Sequence, residues 1–222
     1  MEKPLYPSYN MRITQGYNIG THIDSFAIDD AGKDQSIEPI RAPFTGIIKK
    51  IYSADANEVW LESTEPVEYP DGTVDYMTIM FAHSNNVSNL FVGKLIAQGE
   101  NFYSEGTKGN ATGNHCHIEC GKGKFSGSGW YKNNNGYYSI NNGKKPEDCL
   151  WLDDNVNVIS SNNYNFKKIP TEPKPSVPDS KEEDNNTPTD DKEELKAKLI
   201  FTCPKKALYG IYLKEGQKLY LE

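Results

Sequence analysis

The chain has no long apolar run. Its longest, the interrupted stretch Tyr76 to Ala82, is far short of the roughly 18 to 20 residues needed to cross a bilayer as a helix, so no membrane span is expected. Arginine is scarce, with Arg12 and Arg41 the only two. The 24 Lys plus Arg stand against 31 Asp plus Glu, a formal charge of −7, and nowhere do the lysines gather into the basic patch that neutralises phosphates. A nucleic-acid partner is therefore not expected. Cys116, Cys120, Cys149 and Cys203 include no CxxC pair and no regular spacing, so reduced thiols are expected rather than a disulfide scaffold. Helix-period patterning is almost absent, and there are no coiled-coil heptads or internal repeats. The opening MEKPLYPSYN lacks the apolar stretch of a secretory signal peptide, which predicts a chain made in the cytoplasm that needs another exit for any extracellular role.

What remains divides in three. Residues 1–168 form a body rich in Gly, Asn and Tyr and large enough to bury a core. Residues 169–194 read as a disordered acidic linker: from Thr171 to Glu194 there are four prolines, nine acids and three lysines, and no aromatic or large aliphatic residue except Val177. Such a segment cannot bury enough apolar surface to offset its ordering entropy. Residues 195–222, with six lysines and two glutamates, look strand-forming. A piece this short is rarely stable alone, so it is expected to be the beginning of a second module, cut short or completed by oligomerisation. Within the body, β-type runs recur between turn signals: GIIKKIYS (46–53), EVWLEST (58–64), VDYMTIMFAHS (74–84), KLIAQG (94–99) and HCHIECG (115–121). Asp71-Gly72 is a hairpin signal and Gly106 to Gly113 a glycine-bearing loop. The expected fold is mostly β, an antiparallel sheet with long loops.

The four histidines, His22, His83, His115 and His117, are the most informative residues. A lone histidine is usually incidental. Here His115 and His117 form an HxH pair in a strand-like run, and alternation sends 115, 117 and Glu119 to one face and Cys116, Ile118 and Cys120 to the other. Two imidazoles on one face can address one metal centre, or one can ligate while its neighbour handles protons. His83 ends the run TIMFAHS, and His22 sits in GTHIDSFAID with Asp24, Asp29 and Asp30 nearby. Together they offer the nitrogens and the carboxylate that zinc prefers.

In the order GTHIDSFAID, MFAHS, GNATGNHCHIE, the sequence resembles the M23 (LytM-type, lysostaphin-like) zinc metallopeptidases over roughly residues 10–125, with Gly109, Gly113, His115, His117 and Glu119 in register with the family's last block. The resemblance implies an antiparallel sheet forming a groove, Zn²⁺ bound by His22, Asp29 and His117, and His83 and His115 as the catalytic pair flanking an activated water. It also implies bacterial peptidoglycan as substrate, cut in its peptide stems or cross-bridges. Two positions depart from the pattern. Many members carry the aspartate four residues after the first histidine, where this chain has Phe26. Asp29 is the preferred ligand, which requires a turn near Ile23 to Ser25, since an offset of seven would put it on the wrong face of a continuous strand; Asp24 is the alternative. Cys116 stands where a bulky apolar residue is usual, and alternation makes it a core thiol rather than a ligand.

Other signals are weaker. GKGKFSG (121–127) has no phosphate-loop spacing and reads as a turn; His117-x-Glu119 lacks the PCxxC of zinc deaminases; no HExxH occurs. The run GSGWYKNNNGYYSIN (127–141) gathers Trp130, Tyr131, Tyr137 and Tyr138, either as a surface that stacks on sugars or as a hairpin covering the sheet. Tyr17 precedes the first histidine region, but fourteen tyrosines give no reason to single it out. The expected function is a zinc endopeptidase of the phage endolysin or tail-lysin kind, released by lysis or carried on the virion. The alternatives are a host enzyme exported by another route, a catalytically inactive cell-wall-binding or regulatory module, and a carboxypeptidase, which would need a basic group to hold a terminal carboxylate.

Overall fold

The computed structural model describes residues 1–34 and 36–170; nearly all of the expected linker, the segment 195–222 and Cys203 lie outside the described residues. In chain order the strands are β1 (Asn10–Gln15), β2 (Ile28–Asp30), β3 (Pro39–Arg41), β4 (Gly46–Tyr52), β5 (Glu58–Ser63), β6 (Val67–Glu68), β7 (Val74–Asp75), β8 (Met77–Ala82), β9 (Leu95–Ile96), β10 (Asn101–Ser104), β11 (Cys116–Lys122), β12 (Trp130–Lys132), β13 (Tyr138–Ile140) and β14 (Gly143–Lys144). No α-helix occurs among the described residues. The main sheet runs Asn157–Ser160, β1, β2, β11, β8, β5, β4, β9, with β14 also on β11. All its pairings are antiparallel except that of Asn157–Ser160 with β1. The expected mostly β, antiparallel domain is what forms.

Strand β8 organises the sheet. Its sequence MTIMFA is buried at every position, because it lies between β11 and β5 with apolar material on both faces. Ile79 and Phe81 belong to a large core with Ile28, Ile48, Leu61 and Ile118. Met80 and Ala82 belong to a smaller one with Trp60, Ala56 and Ile140, against which Phe125 and Trp130 pack. The smaller core is roofed by the β12–β13 hairpin, so the aromatic run 127–141 does cover the sheet. Asp71-Gly72 turns β6 into β7 as expected, with Gly72 at φ +85° and Thr73 N–H donating to Asp71 Oδ1 at 2.8 Å.

Both arginines have structural partners. Arg41 forks onto Asp153 with two bonds of 2.8 Å and donates from Nε to the Tyr6 carbonyl. Arg12 donates to the Ala31 and Asp34 carbonyls at 3.0 and 3.1 Å.

Just beyond β10, Glu105 is fully buried; Oε2 accepts from the Glu38 amide, whereas Oε1 has no partner. Burial, reinforced by the Asp30 and Glu38 carboxylates, pushes its pKa from the ordinary 4.5 up to about 8. Folding therefore favours the protonated acid. The stability this contributes is fully present below the unfolded-state pKa and lost as pH rises through the folded one. Glu105→Gln keeps the shape without the charge. In urea melts its midpoint should approach that of the parent near about pH 4 and exceed it progressively towards about pH 8; parallel midpoints across that window would contradict the assignment.

Candidate metal centre and its groove

The site begins with strand pairing. Cys116, Ile118 and Cys120 point into the large core with no exposure, which leaves His117 and Glu119 on the opposite face of β11. His117 lies opposite Asp29 of β2 and opposite Ala82 of β8. Cross-strand partners share a face at close range, so register alone sets the Asp29 carboxylate against the His117 ring. His83, the next residue after Ala82, adopts φ +83°, a left-handed conformation uncommon outside glycine. This turns the chain sharply at the strand end. His22 closes a 3-10 turn, Gly20–His22, and is buried. The turn required between it and Asp29 is present: Asp24 has φ +57°, and the Ser25 amide and hydroxyl both donate to the His22 carbonyl.

These elements bring three imidazoles to one carboxylate and set the fourth, His83, against two of their rings. Asp29 Oδ1 lies 3.1 Å from His117 Nδ1, 3.3 Å from His22 Nε2 and 3.7 Å from His115 Nε2. Ring centroids are 4.8 Å apart for His22 and His117 and 4.5 Å for His83 and His115. The far nitrogen of each ring is tied to an acceptor. His22 Nδ1 faces the Gly16 carbonyl at 3.1 Å, His83 Nδ1 that of Lys108 at 2.7 Å, and His115 Nδ1 that of Gly113 at 2.8 Å. His117 Nε2 faces Glu119 Oε1 at 3.1 Å. A carbonyl can only accept, so in each neutral ring that nitrogen carries the proton and the other is left bare. Glu119 fixes His117 in the same sense.

The donor set fits zinc. His22, Asp29 and His117 each offer one ligand atom, all within 4.8 Å of one another. Zinc–ligand bonds of about 2.0–2.1 Å in tetrahedral array put neighbouring ligand atoms about 3.3–3.4 Å apart, close to the 3.1 and 3.3 Å from Asp29 Oδ1 to the two ring nitrogens. Rings pinned through their outer nitrogens by carbonyl or carboxylate are the usual support for metal-binding histidine. The electrostatics couple the same groups. Burial opposes the Asp29 charge, yet His117 and His22 hold that carboxyl well below the ordinary range. Burial likewise opposes a charged His117, but Asp29 and Glu119 push it up to about 10. His83 goes the other way: burial, then the neighbouring His117, lowers it to about 4.

The five residues expected at a metal and catalytic centre, His22, Asp29, His83, His115 and His117, thus converge. Asp24, the alternative ligand, does not join them; its carboxylate hydrogen-bonds Asn135 on the surface. Cys116 faces away, its thiol pKa raised by burial. Tyr17 also points elsewhere, donating to Glu147 at 2.8 Å and stacking on Tyr164. GKGKFSG runs from β11 into turns, as read. Sequence reasoning placed Glu119 on the correct face without a role; it both holds His117 and accepts from the Ile140 amide at 2.9 Å. The three carbonyl acceptors are backbone and left no signal in the sequence.

The centre lies in a cleft of about 440 Å³, bounded by Thr21, by Asn110 to Thr112 and by the β12–β13 hairpin. Tyr52, Asp55 and Glu58, none of them singled out from sequence, also line it. No lysine or arginine does so among the described residues.

No protein-family model matches the chain. Morphogenesis protein 1 of Bacillus phage B103 is 34% identical to it over 130 residues, 57% of this chain and 34% of that protein. The chain thus spans about a third of the length of this relative. Among solved structures, a zinc-containing peptidase from Vibrio cholerae is similar at 18% identity and a TM-score of 0.41, covering 55% of this chain and 37% of that one. The catalytic domain of lysostaphin from Staphylococcus simulans is 18% identical with a TM-score of 0.39, over 65% and 89% of the two chains. The catalytic domain of the prophage-encoded M23 protein EnpA from Enterococcus faecalis is 20% identical with a TM-score of 0.39, over 55% and 91%. These likenesses assign no role to any residue here.

One glycine holds the loops that carry His83 and His115 together. Gly106 and His115 exchange both backbone hydrogen bonds, at 3.1 and 3.2 Å, while a Cβ on Gly106 would lie 2.3 Å from the His83 carbonyl and 2.7 Å from the Asn85 amide. Neither backbone can yield without moving a histidine. Gly106→Ala should cost about 1–3 kcal/mol in denaturant unfolding and shift the His83 and His115 ring signals in NMR spectra; unchanged ring signals would show that the loops have slack.

Proposed function

We propose that this chain is a zinc-dependent endopeptidase of M23 type that hydrolyses peptide bonds in the stems or cross-bridges of bacterial peptidoglycan. The observation that carries the reading is the convergence of four imidazole rings and one carboxylate at the base of an open groove. His22 Nε2, Asp29 Oδ1 and His117 Nδ1 would hold the ion. When bound by three protein ligands, zinc supplies Lewis acidity and lowers the pKa of a coordinated water towards about 7.

The chain's own contribution is proton handling and orientation. His83 and His115 keep their Nδ1 protons on the Lys108 and Gly113 carbonyls, so each directs an unprotonated Nε2 inward. One can take a proton from the attacking water; the other, once protonated, can stabilise the oxyanion or protonate the departing amine. Glu119 and the Gly16 carbonyl keep the ligand rings from rotating. An internal bond is favoured over a chain terminus because Arg12 and Arg41 are engaged elsewhere and no described cation lines the cleft to receive a carboxylate. The likeness to a Bacillus phage protein supports a phage origin, with action on the wall after release by lysis or from the virion.

The test pairs metal content with wall clearing. The purified full chain should hold about one zinc and clear sacculi, whereas His115→Ala should keep the zinc and lose clearing by about a hundredfold or more. Zinc loss on His115→Ala would exchange the roles within the pair. An intact, zinc-loaded chain that leaves sacculi untouched would support an inactive binding module instead. Independently, Glu119→Gln, which removes the charge that fixes His117, should weaken zinc about 10- to 100-fold in competition with a chelator; unaltered affinity would remove Glu119 from the site.

A further inference from the structure

The cleft has one aromatic wall. Tyr52, Trp130, Tyr137 and Tyr138 line it together with the histidines, and the three tyrosines are 38%, 42% and 59% exposed. Three of the rings are contiguous: Trp130 meets Tyr52 edge to face at 5.0 Å and Tyr138 at 5.2 Å. The wall is also anchored. Trp60 Nε1 donates to the Gly129 carbonyl at 3.2 Å, and Lys50 Nζ lies 3.6 Å over the Trp130 ring while donating to the Ser128 carbonyl. Asn133 Nδ2 donates to the Ile23 carbonyl, and the Ile140 amide to Glu119. The small core beneath is made by Ala56, Trp60, Met80, Ala82 and Ile140 and includes none of the three tyrosines, so their exposed faces add little to folding. Held rigid beside a reaction centre, they are preorganised to receive something flat.

Two orphaned polar atoms indicate its chemistry. Ser139, 3% exposed, and Glu58 are among the residues that line the cleft, and Ser139 Oγ and Glu58 Oε2 are buried just behind its surface without a hydrogen-bond partner. A ligand that places apolar faces on aromatic rings and hydroxyl or amide groups between them would satisfy both kinds of surface. A pyranose does this. An anionic ligand fits poorly, since the described lining holds Asp55 and Glu58 and no cation.

We propose that the wall formed by Tyr52, Trp130, Tyr137 and Tyr138 is a saccharide-binding subsite, so that the groove takes the sugar-bearing end of a glycopeptide and not the peptide alone. This deepens the peptidoglycan reading and rests on it for the substrate, but binding can be tested without turnover. The full chain is titrated with the β-1,4-linked tetramer of N-acetylglucosamine while tryptophan emission is followed. A saturable change is expected, with affinity about tenfold weaker in Tyr138→Ala and largely retained in Tyr138→Phe. The same proteins, zinc-loaded, are then compared on disaccharide-bearing peptides released from sacculi and on those peptides after the sugar has been removed by an amidase. In Tyr138→Ala, the ratio of kcat/KM for sugar-bearing over bare peptide should fall about fivefold or more. No saturable emission change in the parent, or equal losses on both substrates, overturns the subsite and leaves the peptidase reading standing. If the parent cuts neither substrate, the peptidase reading fails, and the titration alone decides whether the wall binds sugar.

Discussion

The register of β11 against β2 is the constraint on which the rest depends. Pairing Cys116 with Asp30 and His117 with Asp29 sets two alternating chains in phase, so that one face of the sheet collects carboxylate and imidazole while the other collects thiols and isoleucine. A slip of one residue would exchange the faces completely. The core enforces the phase. Ile28, Cys116, Ile118 and Cys120 are all fully buried, and a one-residue slip would bring them out together. The chemistry of the exposed face is thus held by the hydrophobicity of the hidden one.

The second face is not simply solvent-exposed. Met80, Ala82, Trp60 and Ile140 form a small apolar island beside the histidines, and the β12–β13 hairpin lies over it. The cleft therefore has a packed floor at one end and an ionic cluster at the other. Glu119 joins the two, accepting from His117 on one oxygen and from the hairpin amide of Ile140 on the other. Movement of the hairpin is felt at the imidazole through one carboxylate. Charge-assisted bonds of this kind are strong and directional.

What could be read in the sequence follows from what has a period or a pattern. Alternation in HCHIECG separated histidine face from core face residue by residue, and the apolar run ending at His83 marked a central strand. That Asp29 rather than Asp24 lies by the histidines needed a turn that the sequence only required and the backbone supplied, through the positive φ of Asp24 and the Ser25 cap. What could not be read was set by tertiary approach. The Gly16, Lys108 and Gly113 carbonyls carry no side-chain signature, although they fix three of the four tautomers. Gly106 is one of eighteen glycines and stands out only once His83 and Asn85 are seen against it. Tyr52 and Glu58, on β4 and β5, reach the cleft because those strands pair at Tyr52 and Glu58, a contact invisible along the chain.

The sulfur layer behind the site has a bearing on where such a chain can work. Cys116, Cys120 and Cys149 are unpaired and wholly enclosed, and burial raises the Cys116 and Cys120 thiols far above the range in which thiolate forms. Oxidants and disulfide partners react with thiolate that they can reach. While the sheet stays closed none of the three can be reached from solvent, so oxidants and disulfide partners in the surroundings do not meet them.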